Sequence, residues 1–566
     1  GWIARIDGKL TITDSSTNDA GVLTNAGRLI NAWNSYSSTT YGGGISVTSG
    51  GELTVLGGRI YNNRGYYGGV SVYGNGKLNL GGNAQIYNNY TISGTTRNIY
   101  LHNTTAKSIN VISQFTGTAL SYGQKFGITR LGNGTFTNGF ETYHPDETAE
   151  TYFASEDANF FVFTDDATGK KEAGLISYNA NTNWEYAIRT SKANGGRPET
   201  VKLYSTWTAT QNSSSGFGTV SGCYVNGALY VPAGVSIILD LNGYNVHRNC
   251  TTAISGGYVI YVDGGELIIR DTRAASGGYI RGGFNSTSYS TGGIHIQAGK
   301  VKLENGRIYG NKYQNNYGGG ALYMNNNTTF EMTGGSIYGN QVTSTYSSAG
   351  VLYTYYHTNV NIRLTGGAIY SNVAPSTSFA SGIHLRGNAN LELGGEIQIY
   401  NNVGGNLTRN LYHETNDSKY PIVEDVGPKF NVGVTKVTNN YNSATLHGLV
   451  FTKDWGIHYK STYAGGKFFA DLNAVYEVID NTEGDQTEKA LWTINNAKNW
   501  SEAVAASQAD GQQKTVILRS NWTANATSVT TTSYTTSYQE QYSTGFNSGA
   551  LQVPSNAKIL LDMNGY

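Results

Sequence analysis

Residues able to do chemistry are few in this 566-residue chain, and most stand apart from one another. Acidic side chains gather at Asp146, Glu147, Glu150, Glu156, Asp157, Asp165 and Asp166. A Ca²⁺ site needs about six to eight converging oxygens; this string reads instead as a solvated connecting loop. His295 and His384 recur in the phrases GIHI and GIHL, one column with side chains outward. Two isolated imidazoles do not complete a metal site, so both are expected on the surface. There is no Walker A loop, GxSxG elbow, HExxH pair or GGxGxDx calcium repeat. No cofactor is implied, and no catalytic or metal-binding residue is assigned.

Tyrosine and asparagine are the notable polar residues. Of 43 tyrosines, Tyr61, Tyr87, Tyr309, Tyr338, Tyr370 and Tyr400 each follow an isoleucine in a recurring phrase. They should form one outward file, stacking across strands or offering flat faces to glycans or a neighbouring filament. Asn63, Asn89, Asn311, Asn340, Asn372 and Asn402 each lie three residues after that isoleucine. Asparagine tolerates a left-handed turn and can bond to its own image one repeat away, so these are read as a structural ladder. N-x-S/T sequons at Asn89, Asn103, Asn285, Asn406 and Asn521 are no more than this composition produces by chance.

The phrase that positions them recurs seven times: LTVLGGRIYNN (53–63), LNLGGNAQIYNN (78–89), LIIRDTRAASGGYIRGG (267–283), VKLENGRIYGN (301–311), FEMTGGSIYGN (330–340), IRLTGGAIYSN (362–372) and LELGGEIQIYNN (391–402). Within a block the isoleucines (Ile60, Ile86; Ile280, Ile308, Ile337, Ile369, Ile399) recur every 26 to 32 residues, the period of a solenoid. Each repeat holds three pieces with period-2 alternation: a strand after a glycine run (GGGISV, GGVSV, GGIHI, SGIHL), the aliphatic-x-aliphatic piece, and the isoleucine piece. Three short strands per repeat make one coil of a right-handed parallel β-helix, with coils stacking about 4.8 Å apart. No coil buries its inner face alone; stacking supplies the core. Thr54, Asn79, Lys302, Glu331, Arg363 and Glu392 point outward and are chemically unrelated to one another, with no acidic ladder for polysaccharide cleavage.

The 27-residue spacing of Cys223 and Cys250 falls within one coil length. Equivalent positions on adjacent coils would permit a disulfide, although the Ser/Gly-rich stretch 209–228 competes with that register. Gly is 74 residues and Pro only 7; charged residues are 13%, with 38 basic balancing 38 acidic. A neutral, weakly charged surface disfavours nucleic acid and anionic membrane, and no apolar run reaches the ~20 residues of a membrane span.

A longer period overlies the coils. NTNWEYAIRTSKANG (181–195) matches AKNWSEAVAASQADG (497–511), LYVPAGVSIILDLNGY (229–244) matches LQVPSNAKILLDMNGY (551–566), and GWIARIDGKLTITD (1–14) matches GYVIYVDGGELIIRD (257–271). The expected organisation is the later part of one β-helix (1–125), a connector or terminating β element (126–180), a second capped β-helix (181–435), a connector (436–496) and the start of a third β-helix with its cap (497–566). The caps are amphipathic helices around Trp184 and Trp500 that cover open strand edges. The offsets imply that the first module has about two coils fewer than the second, and that the chain is a window of a longer array.

Coils of GGxIxxN with GGGIxV strands resemble the β-helical repeat regions of large cell-surface proteins of anaerobic and Gram-positive bacteria. GGAIYSN (366–372) is distantly similar to the repeats of chlamydial polymorphic outer-membrane proteins, with Ile in place of their Phe. The resemblance implies an all-β fold of tandem β-helices and an extracellular, cell-surface location. The expected function is a non-catalytic stalk, fibre or filament whose partners are neighbouring modules or other copies. A glycan-binding adhesin using the exterior tyrosines is the alternative, and a polysaccharide lyase or hydrolase a more remote one.

Overall fold

The computed structural model describes residues 3–563 except 15–26, 35–42, 104–105, 117–124, 131, 166–169, 211–214, 274–276, 345–347, 376–379, 406, 414–418, 436–448, 460–466, 472–475, 484–485, 494–495, 519–545 and 548–549. The fold is a parallel β-solenoid. The chain divides into two compact units, Gly1–Ser205 with Val235–Ile237, and Thr206–Gly234 with Ile238–Tyr566.

In the first unit three parallel sheets run in step. One joins Ala4–Ile6, Ile45–Val47, Val70–Val72, Ile99–Leu101, Phe126–Arg130 and Phe153–Ser155. The second aligns Leu10, Leu53, Leu78 and Ile109, and the third aligns Leu29, Ile60 and Ile86. The second unit repeats the plan at greater length, aligning Ile280, Ile308, Ile337, Ile369 and Ile399 with Val432 and Phe468. From equivalent first coils to the last tyrosine-bearing coil, the isoleucine column has three members in one unit and five in the other. In-register stacking puts like on like, so Ile60, Ile308, Ile337 and Ile369 are all essentially inaccessible and bury their apolar area continuously.

The left-handed residue of each corner is not the ladder asparagine but the one before it. Asn62, Asn88, Gly310, Gly339, Ser371 and Asn401 all have φ between 48° and 65°, where glycine and asparagine are cheapest. This explains the recurring N-N, G-N and S-N pairs: the first residue turns, and the second bonds.

Each unit closes with the same device. Phe136 to Phe140 (FTNGF) and Phe451 to Trp455 (FTKDW) lead into one-turn helices, Phe140–Tyr143 and Trp455–His458. Thr137 Oγ1 donates to Glu172 (2.8 Å), which also accepts the Gly139 and Phe140 N–H groups. Thr452 and Glu488 do the same for Asp454 and Trp455. The amphipathic helices follow. Ala180–Ala193 buries Trp184, Ala187, Ile188 and Ser191, and Asn496–Asp510 covers the parallel pair Gln513–Ile517 and Lys558–Asp562. Ser191 Oγ accepts the Ser236 N–H (2.9 Å), and Ser507 Oγ accepts that of Lys558 (2.7 Å).

The cysteine expectation is corrected. Cys223 and Cys250 are both thiols. Cys223 precedes an antiparallel hairpin, Tyr224–Val225 with Ala228–Pro232, which lies in the column of Ile260. Cys250 follows Val246–His247, in the column of Ile280. The hairpin consumes residues without advancing one coil, so the two cysteines do not fall at equivalent positions of adjacent coils.

Candidate functional site

The asparagines form two directed chains. In the first unit Asn63 Nδ2 donates to Asn89 Oδ1 (3.0 Å), Asn89 Nδ2 to Asn98 Oδ1 (3.2 Å), and Asn98 Nδ2 to Glu156 Oε1 (2.6 Å). In the second, Asn311 donates to Asn340, Asn340 to Asn372, Asn372 to Asn402 and Asn402 to Asn410 at 2.8–3.1 Å, and Asn410 donates to Asp471. Backbone N–H groups follow the same direction, as Asn340 N does to Asn372 Oδ1 (3.0 Å). The six expected ladder residues are fully buried. Sequence reasoning missed the two ends. An amide both donates and accepts, so the ladder passes through it; a carboxylate only accepts, so the ladder stops there.

Burial pushes the Glu156 carboxyl up to about 7, against hydrogen bonds from Asn98 and Thr129 that favour its charged form, with Arg97 nearby. Burial likewise raises Asp471. The signal existed in the sequence: TRNIY (96–100) recurs as TRNLY (408–412), and FASE (153–156) as FFAD (468–471). The acidic string is therefore not a solvated loop. Glu156 ends a ladder, Glu147 accepts from the Tyr152 hydroxyl (2.7 Å), and Glu150 accepts from Thr164 Oγ1 (2.7 Å); Asp166 lies outside the described residues.

His295 and His384 are corrected as well. They align with Tyr261, Tyr323, Tyr353 and Tyr412 on the outer side of the first sheet, yet His384 is inaccessible and His295 nearly so. Corner segments fold over this side: Ser290 Oγ lies 2.9 Å from His295 Nδ1, and Tyr258 packs on the same ring. Burial drops His295 to about 4, so it is a neutral packing residue at ordinary pH.

The tyrosines form a stacked file. Ring centroids are 5.2 Å apart for Tyr61 and Tyr87, 4.8 Å for Tyr309 and Tyr338, 5.0 Å for Tyr338 and Tyr370, and 5.5 Å for Tyr370 and Tyr400. Three of these pairs lie within 10° of parallel. In these three pairs each ring face is taken by the next coil, while Tyr309 meets Tyr338 at a tilt of 40°. The outward column of the second sheet is also organised, contrary to its apparent drift. Lys300 pairs with Glu331 (3.0 Å), Arg363 with Glu424 (2.7 Å) and more loosely with Glu392 (3.9 Å). Of the sequons, Asn89 and Asn285 are fully buried, while Asn406 and Asn521 lie outside the described residues.

Among the described residues no three His, Cys, Asp or Glu side chains are grouped to hold a metal ion, and no helix is long and apolar enough to cross a membrane. No protein-family model, curated protein or solved structure matches the chain.

Proposed function

We propose that this chain is a structural, non-catalytic extracellular repeat protein, a rigid stalk, fibre or filament element of a bacterial cell surface. The observation that carries the reading is the pair of ladders: the specialised buried residues bond to the next coil, so the chemistry the sequence spends is spent on stacking. Outward residues follow suit, tyrosine on tyrosine and acid on base. The resemblance to repeat regions of bacterial surface proteins supports the location. Antibodies against the chain should label intact cells, and brief protease treatment of those cells should release it. Detection only after lysis would overturn the reading. Release of reducing ends from polygalacturonate by the purified chain would favour the enzymatic alternative.

A further inference from the structure

The tyrosine file of the second unit has one open end. Tyr400 aligns through Gln398–Tyr400 with the position of Gly433, and Gly433 with Phe469. The rung after Tyr400 therefore carries no side chain. A Cβ on Gly433 would lie 2.3 Å from Asn410 Nδ2, 2.4 Å from Asp471 Oδ1 and 2.7 Å from the tip of the Phe469 ring, so a side chain there would displace the end of the ladder. Where the rung is missing, Tyr400 and Phe469 border a surface hollow of about 510 Å³, with Lys429, Lys467 and Asn431 on its walls. The Asn431 Oδ1 atom is buried and accepts no hydrogen bond among the described residues. Lys467 is exposed, and Lys429 is 70% exposed and makes a loose contact to Glu396 at 3.5 Å, a pair worth little in water.

We infer that this hollow binds a short acidic saccharide, a uronic-acid oligomer being the simplest example. The apolar C–H face of a pyranose packs against an aromatic ring, and here rings are available where the file ends. The Asn431 side chain stands on the wall as a further polar group beside the two lysines. The two ammonium groups take the carboxylates. A few convergent polar groups beside apolar walls is the ordinary make-up of a small-ligand site. The balanced charge of the chain, 38 basic against 38 acidic residues, disfavours a nucleic-acid strand, which would use the same rings and lysines. The first unit lacks the feature, because Ala154 stands where Phe469 does; one site follows among the described residues. The inference stands whether or not the array is a stalk.

Calorimetric titration of the whole chain with tetragalacturonic acid, cellotetraose and a thymidine tetranucleotide tests it. The expected result is one-to-one binding of tetragalacturonate, several-fold weaker at about 300 mM salt than at about 50 mM. Cellotetraose and the tetranucleotide should bind at least about tenfold more weakly. Phe469→Ala and Lys467→Gln should each lower affinity about tenfold with the thermal midpoint unchanged, and Tyr87→Ala in the first unit should not alter it. No binding of tetragalacturonate up to millimolar concentration would overturn the inference. So would equal binding of cellotetraose or the tetranucleotide, or an unaltered affinity in Phe469→Ala.

Discussion

Asn340 shows what a single residue does in this fold. Its Oδ1 accepts both the backbone N–H and the side-chain amide of Asn311, each at 3.1 Å. Its Nδ2 donates to the Ile308 and Tyr338 carbonyls and to Asn372. Asn340→Ala orphans several of these groups where no water reaches, at about 1–3 kcal/mol each. The urea midpoint of the transition that includes this unit should fall by the equivalent of at least about 3 kcal/mol. Glu331→Ala, which removes a partly exposed ion pair with Lys300, should cost less than about 1 kcal/mol. Equal costs would mean that the ladder contributes nothing beyond surface pairing. Glu156 adds a pH signature. Its folded pKa of about 7 lies above its ordinary 4.5, so the native state binds the proton more tightly. That contribution is complete below about pH 4.5 and is lost as pH rises through 7. Between those values the stability of the wild-type chain should decline relative to Glu156→Gln; parallel pH profiles would rule this out.

At the scale of elements, the strands are too short to stand alone and the helices exist to cover them. The helix Asn496–Asp510 lays Trp500 and Val504 on Val516, with Ile559 and Leu561 packed alongside. Trp500→Ala removes the largest side chain of that cluster, a change costing about 3–5 kcal/mol in other cores. Amide exchange in Gln513–Ile517 should accelerate strongly while that in Leu322–Met324 stays as it was. Slow exchange in both would mean that the helix is dispensable to the sheet beneath it. The one-turn helices are too short to hold themselves, which accounts for the Glu172 and Glu488 carboxylates at their N-terminal N–H groups.

For the whole molecule the coil is the unit of insertion and loss. Asn340 and Asn372 are 32 residues apart and equivalent in register. Deleting 341–372, which joins Asn340 to Val373, should leave a folded chain with one coil fewer and its ladder closed from Asn340 to Asn402. Deleting half of that stretch should destroy the coils on both sides; circular dichroism and limited proteolysis distinguish the two. Ile337→Asp buries an unpartnered charge at a cost of several kcal/mol. Proteolysis should then open the region around 300–400 while the first unit persists, because each coil leans only on its neighbours. Resistance unchanged throughout would place Ile337 outside the core.

Periodicity alone determined the parallel coils, the inward isoleucines and which asparagines recur, because each is a property of residues repeated at one spacing. The structure decided what depends on position within a coil. The left-handed corner falls one residue before each ladder asparagine, since backbone dihedrals leave only the faint trace of N-N and G-N pairs. His295 and His384 became buried because corner segments return over the sheet, a matter of loop path rather than strand alternation. The cysteines separated because a hairpin absorbs residues without advancing the coil. The ladder ends at Glu156 and Asp471 occur once per unit, and the gap bordered by Tyr400 and Phe469 belongs to the second unit. The ladder ends leave only the paired segments TRNIY/TRNLY and FASE/FFAD, which lie far apart in the chain; the stacking of coils brings Asn410 to Asp471 and Tyr400 to the edge of an open rung.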